Sequence, residues 1–225
     1  MTHGSGRFFE AIAGRYDRVY ALSADESRRR MARVVQGLPP APARVLDLGV
    51  GTGRELTALL DAGYAPTGVD VSPAMLARCA RRARPVPLFE ADFWQLPLPF
   101  DDGSFDAALA LHGTLAHPPD DGAMARLAQD LARVVRPGGI FLAEIPSLQW
   151  LHALPPAPPP AGDRPVHRTG ERTCRLEDRV VDAHVDARLL GEADWHAALS
   201  PAWHARIEAI DELEWLVIAV RNESR

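Results

Sequence analysis

This 225-residue sequence predicts an α/β fold, doubly wound around a mostly parallel seven-stranded sheet with helices on both faces. Two observations carry that expectation. Between residues 44 and 146, short apolar runs of strand length alternate with longer segments whose apolar residues recur at helical spacing, the pattern of parallel strands joined by helical crossovers. The first run, Val45-Leu46-Asp47-Leu48, ends in three glycines at alternate positions where a helix is expected to begin. At such a junction glycine lets the backbone bend sharply and lets a ligand approach free N–H groups.

At the N-terminus Phe8, Phe9, Ile12, Tyr16, Val19 and Tyr20 recur at helical spacing, and a second helix follows Ser23 with Met31, Val34, Val35 and Leu38 on one face. Residues 7–37 are therefore expected to be helical, and 1–37 to form an N-terminal helical lid on a domain spanning 38–225. The proline-rich segment 38–42 breaks the chain. Strands are expected at 44–48, 67–70, 86–90, 105–111 and 140–145, with helices at 55–62, 72–79 and 121–135. Ser72 supplies a cap and Pro73 a first-turn residue for the second of these helices, and residues 136–139 are expected to end the third.

Beyond Pro146 the character changes. Residues 154–161 are proline-rich and read as an exposed connector. In 180–190, Val181, Ala183, Val185, Ala187 and Leu189 alternate with polar residues, a period of two. With 172–176 and a turn at 177–178, this predicts a C-terminal β-hairpin flap within a variable, substrate-side segment 151–200. A helix near 201–210 and a last, antiparallel strand at 213–220 complete the expected order.

Composition narrows the function. The net charge of −5 and pI of about 5.9 argue against a broad grip on nucleic acid or an anionic membrane. All 25 Lys+Arg residues are arginines, so neither a lysine Schiff base nor a phosphate-loop lysine is available. Cys79 and Cys174 are too far apart for a metal pair and suit a reducing compartment. The first six residues carry no apolar signal core and no run approaches a membrane span. The expectation is a cytoplasmic protein, monomer or homodimer, with no metal.

Asp70 ends the second strand 21 positions after Gly49, where a carboxylate can accept both hydroxyls of a ribose, so an adenosine-containing ligand is expected at the sheet's switch point. The bland alternative is a tight turn beside a surface aspartate. A dinucleotide loop would put its third glycine at position 54, which is Arg54. The arginine is expected to pair with an anionic ligand group or, more simply, with Asp17.

Together with the loop 45–53, several ordered stretches carry a resemblance: 9–17, 68–76 (GVDVSPAML), 91–97 leading to 102–106, and 133–139 (RVVRPGG). Over residues 8–146 the sequence resembles the class I S-adenosylmethionine (SAM)-dependent methyltransferases, in the branch of small stand-alone methyltransferase domains acting on small molecules. The resemblance implies a Rossmann-like fold and a SAM site to which Val50 belongs with the loop glycines. Gly49, Gly51 and Gly53 would wrap the methionine part and ribose, Asp47 would hold the amino group, and Asp70 the ribose hydroxyls. Val71 and Met75 would flank the adenine, and Asp92 would accept from its amine with Phe93 beside it. Tyr16 would close over the methionine end, and His112 would lie where backbone meets the amino acid moiety. Phe93 and Trp94 read equally well as core, and Tyr16 as helix packing.

Methyl transfer needs alignment more than any one catalytic group. His117, after the fourth strand, is the candidate general base, with a solvated or capping histidine as the bland alternative. The implied product is S-adenosylhomocysteine (SAH) and the implied partner a small-molecule methyl acceptor on N or O. A non-catalytic SAM-binding scaffold and, less simply, a nicotinamide-dependent oxidoreductase stay open.

Overall fold

In a computed structural model that describes residues 4–82 and 84–223, the main sheet has the strand order β3-β2-β1-β4-β5-β10-β9. The strands are β1 (Arg44–Leu48), β2 (Ala65–Asp70), β3 (Leu88–Glu90), β4 (Phe105–Ala110), β5 (Val135–Pro146), β9 (Trp203–Ala209) and β10 (Glu214–Arg221). β1 to β5 run parallel, and β10 is antiparallel to both β5 and β9. One face is covered by α3 (Ala24–Gly37), α4 (Leu56–Asp61) and α5 (Pro73–Arg82), burying Met31, Val34, Leu56, Leu59 and Cys79. The other is covered by α6 (Ala123–Val134) and α8 (Glu192–Leu199), burying Leu127, Leu131, Trp195 and Leu199. The chain leaves β1 for β2 and β3 on one side and returns to β4 on the other, so the crevice at the carboxyl ends of β1 and β4 is the switch point.

Local signals account for the helix starts. Ser23 and Glu26 form a capping box at α3, the serine hydroxyl accepting from Glu26 N–H and the glutamate accepting from Ser23 N–H at 2.8 Å. At α5 the Ser72 hydroxyl accepts from Met75 N–H at 3.1 Å, one residue ahead of Pro73.

The N-terminal segment, whose residues 1–3 lie outside the described residues, is not one helix into residue 20. α1 (Gly4–Ile12) stops at a turn containing Gly14, and α2 (Tyr16–Val19) follows. Beyond β5 come α7 (Leu148–Ala153), the exposed proline-rich connector, and a separate antiparallel sheet of β6 (Val166–Arg168), β7 (Thr173–Asp178) and β8 (Ala183–Arg188). α1 packs its Phe8 and Ile12 with Met75 and with Val185 of this small sheet. Among the described residues no helix is long and apolar enough to cross a membrane.

Three expectations are corrected. Residues 201–210 are not a helix. They hold β9, whose Trp203, Ala205, Ile207 and Ala209 alternate with His204, Arg206 and Glu208, an edge-strand pattern, while the helix lies earlier, at α8. The hairpin turn falls at 179–182, not 177–178, because Asp178 is a buried residue of β7 rather than a solvated turn residue. Residues 136–139 belong within β5, where a register shift opposite Phe105 and Ala107 absorbs them.

Candidate functional site

The glycine loop after β1 is built from backbone. Gly49, Gly51 and Gly53 have φ of +66°, +54° and +73°, a region L side chains rarely adopt. A Cβ on Gly49 would lie 2.5 Å from the Thr114 methyl, so the loop packs directly against the segment after β4. Gly51 donates its N–H to Asp70 at 2.8 Å, and Asp70 also accepts from Ser72 N–H at 2.9 Å. Gly53 departs from the expected role. It lines no part of the cleft, and a Cβ there would lie 2.5 Å from Cys79 Sγ, so it serves the close packing of loop on α5.

An open cleft of about 820 Å³ runs from this loop toward the small sheet. On its wall stand Gly49, Gly51, Asp70, Val71, Met75, Asp92 and Phe93, together with Tyr16, His112 and His117. Asp47 and Val50 line a smaller pocket that continues beneath the loop. Twelve of the thirteen residues singled out from the sequence thus line one of the two cavities, Val50 with its side chain also packed into the core beside Gly68, and Gly53 lines neither. Phe93 combines both readings, buried in the core and touching the cleft. Asp92 is half-buried and oriented by Trp94 N–H at 3.0 Å and the Gln95 amide at 3.2 Å.

Three carboxylates surround the loop. Asp47 is 4% exposed and receives no hydrogen bond among the described residues. Burial, then the nearby Glu55 and Asp70, push its carboxyl well above the usual carboxylate range. Burial likewise raises Asp70 against its backbone N–H bonds. Burial would raise Glu55 too, but its hydrogen bond with His112, with the Arg54 guanidinium nearby, outweighs it and the net direction is down.

His112, at φ +55°, is the hub of a charged network the sequence did not disclose. Its Nδ1 accepts from Arg30 Nη1 at 2.7 Å, so Nε2 carries the proton and donates to Glu55. Arg30 also donates to the buried Glu144 at 2.7 Å and to Glu214 at 3.2 Å, tying α3 to β5 and β10. The available signal was Glu144, an acid inside the apolar run FLAEI, which needs a partner when buried.

The N-terminal segment is latched over the loop. Asp17 accepts from Thr52 Oγ at 2.7 Å and from Arg82 at 2.6 Å. Burial opposes its charge, but these hydrogen bonds hold its carboxyl below the usual range. Arg54 lies 3.9 Å from Asp17, a loose version of the expected pair, and sets its guanidinium 5.7 Å from the Tyr16 ring centroid. Tyr16 is raised by burial. Glu10 accepts from Ser72 Oγ and from Ala74 N–H at 3.0 Å at the start of α5, and Arg15 reaches the buried Asp178 of β7 at 2.8 Å. His117 is 7% exposed, edge-on to Phe9, and donates from Nδ1 to the Asp186 carbonyl at 3.0 Å.

The donor set therefore fits one class of group. A buried carboxylate without a hydrogen-bond donor among the described residues favours a cationic group, and Arg54, lining the same pocket with a buried Nη2 that has no hydrogen-bond acceptor among them, suits a carboxylate. Asp70 stands where ribose hydroxyls can meet it, and the apolar Val71, Met75 and Phe93 suit a planar base.

Residues 45–139 match the methyltransferase domain family. The demethylmenaquinone methyltransferase of Beutenbergia cavernae is 36% identical over 152 residues, covering 66% of this chain and 60% of that protein. The malonyl-[acyl-carrier protein] O-methyltransferase of Halorhodospira halophila is 34% identical over 194 residues, covering 83% and 63%. The matched part of the chain thus spans about three fifths of the length of these relatives. The solved sugar N-methyltransferase KedS8 from a Streptoalloteichus species superposes with a TM-score of 0.65 at 25% identity, over 92% of this chain and 93% of that one.

Proposed function

We propose, for a chain that belongs to the class I SAM-dependent methyltransferases, that it transfers a methyl group from SAM to an N or O nucleophile of a small-molecule metabolite, leaving SAH. The observation that carries this reading is the anionic pocket under the glycine loop, where Asp47 is buried with no hydrogen-bond donor between Glu55 and Asp70. A ligand that brings its own cation satisfies that carboxylate, whereas a nicotinamide dinucleotide would bring its pyrophosphate against it.

When bound, SAM supplies a methyl group already activated on a sulfonium, ready for in-line displacement. Asp47 would hold the cationic amino group, Gly49 and Gly51 would let the ligand approach the main chain, and Asp70 would take the ribose hydroxyls. Val71, Met75 and Phe93 would enclose the adenine with Asp92 at its amine. Tyr16 would cover the methionine end, and α1 and α2 would act as the lid that excludes water, α3 being part of the layer packed on the sheet. His117 is the base we assign. Its place on the cleft wall just after β4 supports this, its Nδ1 donating to the Asp186 carbonyl and fixing the ring. A base so placed contributes about 10²–10⁴-fold.

The relatives are named for demethylmenaquinone, malonyl-[acyl-carrier protein] and sugar substrates. That spread supports a metabolite acceptor without choosing one. Calorimetric titration of ligand-stripped protein with SAH, with NAD as control and Asp70→Ala alongside, tests the donor site. Saturable binding of SAH alone, sharply weakened in Asp70→Ala, is expected. Folded protein that binds neither overturns the site assignment, and where SAH does bind, a methyl-transfer assay on a metabolite panel separates the enzyme from a non-catalytic SAM-binding scaffold.

A further inference from the structure

The part of the cleft away from the glycine loop carries six charged side chains: Glu26, Arg29, Arg30 and Arg33 from α3, and Asp211 and Glu214 from the turn into β10. Four of them already have partners. Glu26 is taken by the cap at Ser23, Arg30 bridges Glu144 and Glu214, and Asp211 accepts from the Leu213 and Glu214 N–H groups. Arg29 has only the nearby Glu26 charge, and Arg33 has none among the described residues. Neither makes an ion pair or hydrogen bond among the described residues, and Arg33 Nε is buried without an acceptor. A buried donor left unmade is costly, and two guanidinium groups one helical turn apart share a face of the helix.

We propose that Arg33, assisted by Arg29, is an anion subsite for the methyl acceptor, which therefore carries a carboxylate or phosphate group attached to an apolar body. A guanidinium takes either anion through two parallel N–H bonds. In a chain without lysine, arginine is the one side chain that carries a permanent positive charge. The apolar body has a surface to meet in Leu22, Ile210, Leu213 and Trp150, which line the same cleft. In naming the ligand a methyl acceptor, the proposal rests on the methyltransferase reading above. The subsite itself does not.

The test titrates the full chain, with and without SAH, with benzoate, phenyl phosphate and the neutral benzamide, and repeats it with Arg33→Gln and Arg29→Gln. Glutamine keeps the helix propensity of α3, and thermal unfolding confirms that both variants fold. At least one of the two anions is expected to bind saturably while benzamide does not, and the tighter anion tells carboxylate from phosphate. Arg33→Gln should weaken the anion by about tenfold or more, and Arg29→Gln by less, through loss of charge-assisted hydrogen bonds, with SAH affinity unchanged in both. Benzamide binding as well as benzoate, anion affinity unchanged in both variants, or no anion binding beside intact SAH binding would each overturn the subsite. Anion binding lost with Arg33 in a protein that takes no SAH would sustain the subsite and overturn the methyltransferase reading instead.

Discussion

The two ends of the cleft are made by different means. The end at the glycine loop is largely one continuous stretch of backbone, residues 47–52, closed by the ends of β2 and β4, with positive φ at Gly49 and Gly51 and carboxylates at Asp47 of β1 and Asp70 of β2. The far end, where we propose the acceptor binds, is assembled from side chains of α3, α7, the small sheet and the turn before β10, elements that share no local sequence. A site made of backbone admits few substitutions, because each α-carbon is itself a contact. A site made of side chains on separate elements can change its ligand while the sheet stays as it is.

The sharpest way to break that contrast is Gly49→Ala. The left-handed backbone costs roughly 1–2 kcal/mol for an alanine, and its Cβ would meet the Thr114 methyl at 2.5 Å. SAH binding measured by calorimetry should fall by about a hundredfold or more, at 1.4 kcal/mol per decade. Gly53→Ala is the control. It should lower the melting temperature through its collision with Cys79, yet the folded protein should still bind SAH, and the opposite ranking would reverse the roles given to the two glycines.

Next in size is Arg15→Ala, which strips the buried Asp178 of its cation and tests how firmly the N-terminal segment holds the small sheet. Removing one partner of a buried pair costs roughly 3 kcal/mol, visible as a lower denaturation midpoint. A loss near zero would mean that the two regions are not coupled through this pair.

The pH dependence of SAH binding sharpens the glycine-loop end. Empty, Asp47 keeps its proton above the usual carboxylate range, and the cationic amine of the ligand favours the ionised form. Affinity should therefore rise with pH, by up to about tenfold per unit below the raised pKa, and level off above it. Proton release should appear in buffers of different ionisation enthalpy, and Asp47→Asn should flatten the profile. For folding the sign is reversed. A carboxyl raised in the native state contributes stability at low pH that is lost as pH climbs through that raised pKa. The smallest effect is expected at the exposed Arg84–Asp61 pair, where Arg84→Ala should shift stability by less than about 0.5 kcal/mol.

Much of the fold was legible because parallel strands and their helices carry their periodicity in consecutive residues. β1 is bounded as its pattern predicts, and Ser23 and Ser72 mark their helices through short-range hydrogen bonds. The elements beyond residue 146 were less legible. Residues 201–210 hold both a helical and an alternating spacing, and only pairing with β10 selects the strand, while β6 is three residues long and exists through β7. The loop side of the site could be read in the same way. Glu55, Glu144 and Arg30 could not, since their partners lie 57, 114 and 82 positions away.

By itself, then, the sequence determined the doubly wound sheet, the glycine turn and the acid at the end of β2, all set by interactions within a few residues or by a repeated apolar period. The tertiary structure decided which nitrogen of His112 holds its proton, that Gly53 packs against Cys79 rather than lining the cleft, and that, among the described residues, Asp47 is buried without a donor and Arg33 Nε without an acceptor. Each depends on burial and on which distant segments meet, and those follow from the packing of the whole chain rather than from any short stretch of it.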